Sequence, residues 1–526
     1  MKVRPAVILI MDGWGIAKPG KGNAISLARK PNFDRLSKQY PYTELGAGGE
    51  SIGLWKGHQG SSETGHFIIG AGRKVFLPQG IIASSIADRS FFRNKAYLGA
   101  IEHVKKHDST LHFSCLMSDK GVHGYDMEAH SMIEMAAQHG IKKLAIHYFS
   151  DGRDTAPHET LNYLERLEGV MKKFGIGTIA TVMGRYWIMD RDHRWERVEV
   201  GYNAMVHGRG MFSARSAREA IQRAYGRAKE AGKNGENFQE SDEFIKPTVI
   251  VGRDGKPVAP VRDNDAFIWL NFRNDRAIEI SQAFTEESFK YFPRGPKPNV
   301  HYVATFKYYD TLKAPYAFEK VYPEMTLGET LSKLGLRQFR VTETEKWIYV
   351  TTIFSGMRET PFKGEDRLLI PSDKIPTYDL KPKMKTAEIA LEAVKKIEKG
   401  NCDFILINFN NPDIIGHTGK VDKAVEGVET VDQGVGEVCA AALEKGWAVL
   451  VTADHGNAEV MLEPDGTPNT YHTANDVPFI LVTEDKKLKS AKLRKGGTIA
   501  DIAPTVLDVM GVKKPKEMTG VSLILK

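Results

Sequence analysis

The chain has 526 residues, of which 41% are hydrophobic, 26% charged and 9% aromatic, with a formal net charge of +7. These are globular proportions, which exclude a disordered, collagenous or disulfide-stapled chain, and at about 150 residues per domain the length leaves room for several domains or two large ones. No apolar run approaches the roughly 18 residues that span a bilayer, no block of Lys and Arg is interleaved with aromatics as on a nucleic-acid surface, and Cys115, Cys402 and Cys439 are too scattered for a disulfide framework or a thiolate metal site. A soluble protein of the reducing cytoplasm is expected, with a small anionic substrate and neither nucleic acid nor membrane as partner.

In chain order, residues 7–11 read as a first strand rather than a signal peptide, because the apolar run is short and stops at Asp12-Gly13-Trp14. Gly57-His58-Gln59-Gly60-Ser61-Ser62-Glu63-Thr64-Gly65-His66 follows, a glycine-flanked hydroxyl segment that reads either as a helix N-cap or as the site of a nucleophilic serine. The Pro/Gly-rich stretch 76–80 is a crossing between domains. Residues 144–149, 178–183 and 266–270 read as buried parallel strands stopping at Asp151-Gly152-Arg153-Asp154, Gly184-Arg185 and Asn271-Phe272-Arg273. Helical spacing covers 216–231, and the polar stretch 232–242 reads as a surface loop, within a segment running to residue 260 that looks like an insertion. A second crossing lies over 314–324. Helices over 386–399 and 421–444 then alternate with strands over 404–409 and 448–452, which end at Asn410-Asn411-Pro412-Asp413 and before Asp454-His455. This alternation is α/β, and in open sheets of that class ligands collect beyond the carboxyl ends of the strands.

The polar clusters at those ends carry chemistry. Asp413 and His417 are four apart, on one helical face or around one turn; Asp454-His455, His472 and Asp12 bring further oxygen and imidazole donors, with no thiolate. Each is ordinary alone, as a cap, a turn or a solvated histidine. Together they suit manganese, magnesium or zinc in a paired site. Ser62 has no base beside it in sequence, so a metal would have to activate it. Arg153, Arg185, Arg191, Arg273 and Arg276 stand at or just after strand ends, where guanidinium forks bind carboxylate and phosphate, and His123 in its Gly-flanked loop is a phosphate contact or an acid/base.

Over nearly the whole chain, ordered motifs resemble one family. They include Met11-Asp12-Gly13-Trp14-Gly15, Ser62-Glu63-Thr64-Gly65-His66, Gly121-Val122-His123, Asp151-Gly152-Arg153-Asp154, Gly184-Arg185-Tyr186-Trp187, Asn271-Phe272-Arg273, Glu343-Thr344-Glu345-Lys346, Asp413-Ile414-Ile415-Gly416-His417 and Thr452-Ala453-Asp454-His455-Gly456-Asn457. The chain resembles the cofactor-independent phosphoglycerate mutases of the alkaline-phosphatase superfamily. The resemblance implies an alkaline-phosphatase-like α/β domain with a central, mostly parallel sheet, residues 1–79 and 325–526, and an inserted α/β transferase domain, residues 80–324. It implies an isomerase that interconverts 3-phosphoglycerate and 2-phosphoglycerate in glycolysis and gluconeogenesis through a phosphoserine on Ser62. No 2,3-bisphosphoglycerate is required, and two divalent metals are, manganese with magnesium as the alternative. Asp413, His417 and His472 would hold one metal; Asp12, Ser62, Asp454 and His455 the other. Glycerate would reorient among His123, Arg153, Asp154, Arg185 and Arg191, with Asp154 and Lys346 catalytic beside Ser62, and Arg273, Arg276 and Lys346 would hold the phosphate. A monomer is expected. The family usually has Asn where Ser61 stands, so register with Glu63 selects Ser62. A metal-dependent phosphatase or another phosphomutase on the same scaffold is the alternative.

Overall fold

The computed structural model describes residues 3–54, 56–233, 241–320 and 322–525. In it the aliphatic runs form two eight-stranded sheets, one in each of two units, Met1–Phe76 with Val321–Lys526, and Leu77–Lys320. The sequence expectation puts the junctions at 79/80 and 324/325.

In the discontinuous unit the strands run, across the sheet, Glu365–Ile370, Gln338–Glu343, Phe404–Phe409, Ala6–Met11, Ala448–Thr452, Val477–Val482, Tyr42–Gly46 and Gly497–Thr498. Val477–Val482 is antiparallel to both neighbours and the other pairings are parallel. Ala6 lies opposite both Phe404 and Ala448, so the first strand is the middle of the sheet and all its residues are buried. Because these strands share one direction, Asp12, Lys346, Asp413 and Asp454 emerge at the same edge. Helices Thr386–Lys399 and Val421–Glu444 fall where their apolar spacing predicts. Ser62–Ala71 is different: every residue of that helix but Glu63 is buried, as expected of a helix that is apolar all round.

In the contiguous unit the order is Tyr316–Phe318, His301–Phe306, Ala266–Trp269, Leu111–Met117, Leu144–Ser150, Thr178–Gly184, Thr248–Ile250 and Phe212–Ala214. Among the described residues, only the pairing of Thr178–Gly184 with Thr248–Ile250 is antiparallel. The segment expected to be an insertion therefore supplies a strand of the sheet. Of the polar stretch expected to be a surface loop, 234–240 lie outside the described residues, and Asp242 beyond them is buried. Its carboxylate accepts from the backbone N–H groups of Glu159 and Thr160, both at 2.8 Å, and so fixes the start of helix Thr160–Phe174.

A buried hydrogen-bond chain crosses this sheet. Asp265 Oδ2 lies 3.2 Å from His112 Nε2, His112 Nδ1 lies 3.1 Å from His147 Nε2, and His147 Nδ1 lies 2.9 Å from Thr181 Oγ1. The carboxylate fixes the direction: each ring donates through Nε2 toward Asp265 and accepts at Nδ1, and Thr181 donates last. Burial, followed by the neighbouring His112, pushes His147 well below the ordinary imidazole range. The unfolded chain takes up this proton below about pH 6.5 and the folded chain does not, so the stability is fully present above that pH and lost as pH falls. Lowering the pH from 7.5 to 5.5 should reduce the melting temperature by several degrees, at up to about 1.4 kcal/mol per pH unit per proton. The His147→Gln variant, weaker at neutral pH, should lose less over the same step. Equal losses would remove His147 as the cause.

Candidate active site

Ser61 and Ser62 have different tasks. Ser61 is the N-cap of helix Ser62–Ala71, its hydroxyl accepting from Thr64 N at 3.2 Å. Ser62 is the first helical residue and is buried, and its Oγ lies 2.6 Å from Lys346 Nζ, 3.0 Å from His455 Nε2 and 3.3 Å from Asp12 Oδ1. A negative charge developing on this oxygen would face the positive end of the helix and an ammonium.

Lys346, brought in by a short turn after strand Gln338–Glu343, donates also to Asp12 Oδ1 at 2.7 Å and Asp413 Oδ2 at 2.6 Å. Burial alone would discharge it, but Asp12 and Asp413 outweigh that and raise its pKa above the ordinary lysine value. Reciprocally, Asp12 and Asp413 are buried, which would push them up, yet Lys346 holds both below the usual carboxylate range.

Donor atoms converge around these carboxylates. On the one-turn helix Asn411–Gly416 and its following residue, Asp413 and His417 meet His472: His472 Nε2 is 3.0 Å from Asp413 Oδ1 and 2.9 Å from His417 Nε2, which is 3.4 Å from Asp413 Oδ1. The other ring nitrogens are held by backbone carbonyls, His417 by Thr470 O at 2.7 Å and His472 by Gly60 O at 2.9 Å. Asp12, Asp413 and His455 form a second convergent group, and Asp12, His66 and Asp454 a third. His455 is buried, which would lower its pKa, but Asp454, Asp12 and Asp413 push it up to about 10. Asp454 Oδ2 is buried and, among the described residues, accepts no hydrogen bond, although the His66 ring lies close to it. Oxygen and imidazole donors spaced as the ligands of one ion, with an unfilled carboxylate oxygen among them, fit a pair of divalent metals.

His66, Asn408 and Asn457 belong to this cluster although the sequence reading assigned them nothing. Asn408 Nδ2 reaches Asp12 Oδ2 at 2.7 Å and His66 Nε2 at 3.0 Å, His66 Nδ1 is 3.2 Å from Asp454 Oδ2, and Asn457 Nδ2 donates to Asp413 Oδ1 at 2.9 Å. His66 lies four residues after Ser62 in the Ser62-Glu63-Thr64-Gly65-His66 motif, and that helical spacing was the available signal.

The contiguous unit gathers a second set. Buried Arg185 donates to Asp151 Oδ1 at 2.7 Å and to Asp154 Oδ2; His123 Nε2 lies 4.0 Å from the same Asp154 oxygen. Asp275 pairs with Arg191 at 3.2 Å and with Arg273 at 3.1 Å, Arg153 pairs with Glu243 at 3.2 Å, and Arg276 donates to Met189 O at 2.7 Å. The guanidiniums are crowded: burial, then Arg185, Arg191 and Arg153, lower the pKa of Arg276. Burial and four of these arginines push His123 down to about 2, so its ring is neutral at physiological pH. The arginines singled out in the sequence thus cluster, interleaved with carboxylates, at the carboxyl ends of Leu111–Met117, Leu144–Ser150, Thr178–Gly184 and Ala266–Trp269. Asp151 and Asp275, which orient Arg185, Arg191 and Arg273, lie within or beside motifs of the sequence that give them no role, and Glu243, which orients Arg153, is distant from it in sequence and carries no signal.

The described family BPG-independent PGAM N-terminus matches residues 82–311, and the sulfatase family matches 284–512. The chain is 47% identical over 525 residues to a 2,3-bisphosphoglycerate-independent phosphoglycerate mutase of Clostridium novyi, covering 99% of this chain and 100% of the relative. It is 45% identical over 524 residues to such a mutase of Methanosarcina barkeri, covering 99% and 98%. A crystal structure of Leishmania mexicana phosphoglycerate mutase at low cobalt concentration superposes with a TM-score of 0.70 at 29% identity, over 99% of this chain and 98% of that one.

Proposed function

The chain belongs to the 2,3-bisphosphoglycerate-independent phosphoglycerate mutases, isomerases that interconvert 3-phosphoglycerate and 2-phosphoglycerate, and we propose that the phosphoryl group passes through Ser62. The observation that carries this reading is the setting of Ser62 Oγ, within 2.6 Å of a buried ammonium and 3.0 Å of His455, at the first turn of a helix.

On this reading Asp413, His417 and His472 hold one divalent metal and Asp12, Ser62, Asp454 and His455 the other, manganese or magnesium. When bound, these ions would lower the pKa of the Ser62 hydroxyl and neutralise phosphoryl oxygens. The protein's own contribution is to hold the reactants. Lys346 donates to Ser62 Oγ and stabilises charge that develops there, both when Ser62 attacks the phosphoryl group and when it leaves. Arg273 and Arg276 hold the phosphate of the substrate. Arg153, Arg185 and Arg191 hold the carboxylate of the dephosphorylated glycerate, so that it turns without leaving, and Asp154 takes the proton of the hydroxyl that attacks phosphoserine. His123, neutral, can accept or donate a hydrogen bond to the hydroxyls without competing with the arginines for the anion.

The discontinuous unit is then the phosphatase-like domain and the contiguous one the transferase domain. The arginine cluster favours a mutase over a phosphatase, since hydrolysis needs no means of retaining its organic product. No helix among the described residues is long and apolar enough to cross a membrane; a cytoplasmic monomer acting on phosphoglycerate alone completes the reading.

Metal-stripped protein given 3-phosphoglycerate without 2,3-bisphosphoglycerate should form 2-phosphoglycerate only after Mn²⁺ or Mg²⁺ is added, read by coupling to dehydration of the product, with inorganic phosphate a minor product. Phosphate as the main product would establish the phosphatase alternative.

A further inference from the structure

We infer that Glu459 is the positioning residue of the metal centre, a buried carboxylate that ties together loops bearing most of the proposed ligands. This rests on the reading that those ligands hold divalent metal. Glu459 is 2% exposed and belongs to no group of convergent metal donors among the described residues. Its two oxygens are instead filled by the protein. Oε2 accepts from Gly15 N at 3.2 Å and Asn457 N at 2.8 Å; Oε1 accepts from Asn475 Nδ2 at 3.0 Å and from the Thr473 hydroxyl.

These donors come from separate segments, each adjoining ligands. Gly15 directly follows the Met11–Trp14 turn that carries Asp12, Asn457 follows Asp454-His455, and Thr473 follows His472. Asn457 extends the reach to Asp413 through its side chain, at 2.9 Å from Oδ1. A buried carboxylate with donors on both oxygens is a strong tie, because each bond is charge-assisted and any lost partner leaves charge unsatisfied out of water.

The backbone around it is also shaped to receive it. A Cβ built on Gly15 or on Gly456 would lie inside van der Waals contact with the Glu459 carboxylate. Thr473 N meanwhile donates to Gly456 O at 2.9 Å, so the two loops Glu459 bridges are also zipped by backbone. The carboxylate therefore sets the spacing between Asp12, Asp454-His455 and His472 without touching the reacting atoms.

The test is Mn²⁺ binding to the full chain, followed by the electron paramagnetic resonance signal of free Mn²⁺, with melting of the metal-free protein alongside. Glu459→Gln keeps the shape but replaces one acceptor oxygen by a donor. It should weaken Mn²⁺ binding by about 10- to 100-fold, while far-UV circular dichroism is unchanged, and saturating Mn²⁺ should restore most of kcat. Thr473→Val and Asn475→Ala, each removing one donor, should weaken binding by about threefold or more and decide the matter if Glu459→Gln does not fold. A lower melting temperature with unchanged Mn²⁺ affinity in the variants that fold would make Glu459 a packing residue only and overturn the inference. A wild type that binds no Mn²⁺ would overturn the underlying reading, and the inference with it.

Discussion

Ser62→Ala is expected to lower formation of 2-phosphoglycerate by about 10⁴-fold or more, the scale on which removal of a covalent nucleophile acts. The fold should survive, because the lost hydroxyl leaves Lys346 with Asp12 and Asp413 as partners. Ser61→Ala removes the N-cap instead; it should cost about 1 kcal/mol of stability and less than about tenfold in rate. Wild-type enzyme quenched in acid during turnover should yield a phosphorylated peptide whose modified residue, by fragment mass spectrometry, is Ser62. Phosphate on Ser61, or a Ser61→Ala variant less active than Ser62→Ala, would reverse the assignment.

Arg191→Ala and Asp154→Asn should separate transfer from hydrolysis. A phosphoserine is attacked by water or by a glycerate hydroxyl through the same chemistry; a mutase must keep its glycerate and keep water out. Arg191 is 42% exposed and, among the described residues, its ion pair is with Asp275 across 3.2 Å, so its removal costs little stability. Asp154→Asn keeps the side chain's size but takes away the acceptor charge that Arg185 contacts. Each variant should lose about 100-fold or more in 2-phosphoglycerate formation, with Mn²⁺ binding and slow release of inorganic phosphate from 3-phosphoglycerate retained. Measuring both products in one reaction is the check. A wild-type ratio of the two in both variants would leave the arginine cluster without its proposed task.

Much of this architecture was legible because it is built from buried parallel strands. Such strands are apolar on both faces, so 404–409 and 448–452 are read from composition alone, and their ends are marked by the abrupt return of polar residues. Short strands such as Phe212–Ala214, at the sheet edge, and Thr248–Ile250 beside it carry too few residues for any period, and tertiary pairing creates them. The same division holds in the site. Residues whose chemistry is unusual at a strand end, such as Arg185 or Asp454, announce themselves. Those whose part depends on what the fold brings near, such as Asn408 under Asp12 and His66, or Asp275 between Arg191 and Arg273, do not. Register with Glu63 selects Ser62 of the two adjacent serines in the sequence; the fold adds that Ser61 caps the start of the helix through Thr64 N while Ser62 Oγ meets Lys346.

The place of Ala6–Met11 at the middle of its sheet has a consequence for biosynthesis. Its two neighbours, Phe404–Phe409 and Ala448–Thr452, leave the ribosome some 400 residues after it. At about 5–20 residues per second, that wait lasts on the order of tens of seconds. Leu77–Lys320 has all its strands in one continuous stretch and is complete while the first strand is still unpaired. The nascent chain therefore carries an apolar strand with both hydrogen-bonding edges open through most of translation. Nonsense or frameshift products ending before residue 404 would present that strand permanently, as substrates for chaperones and proteases.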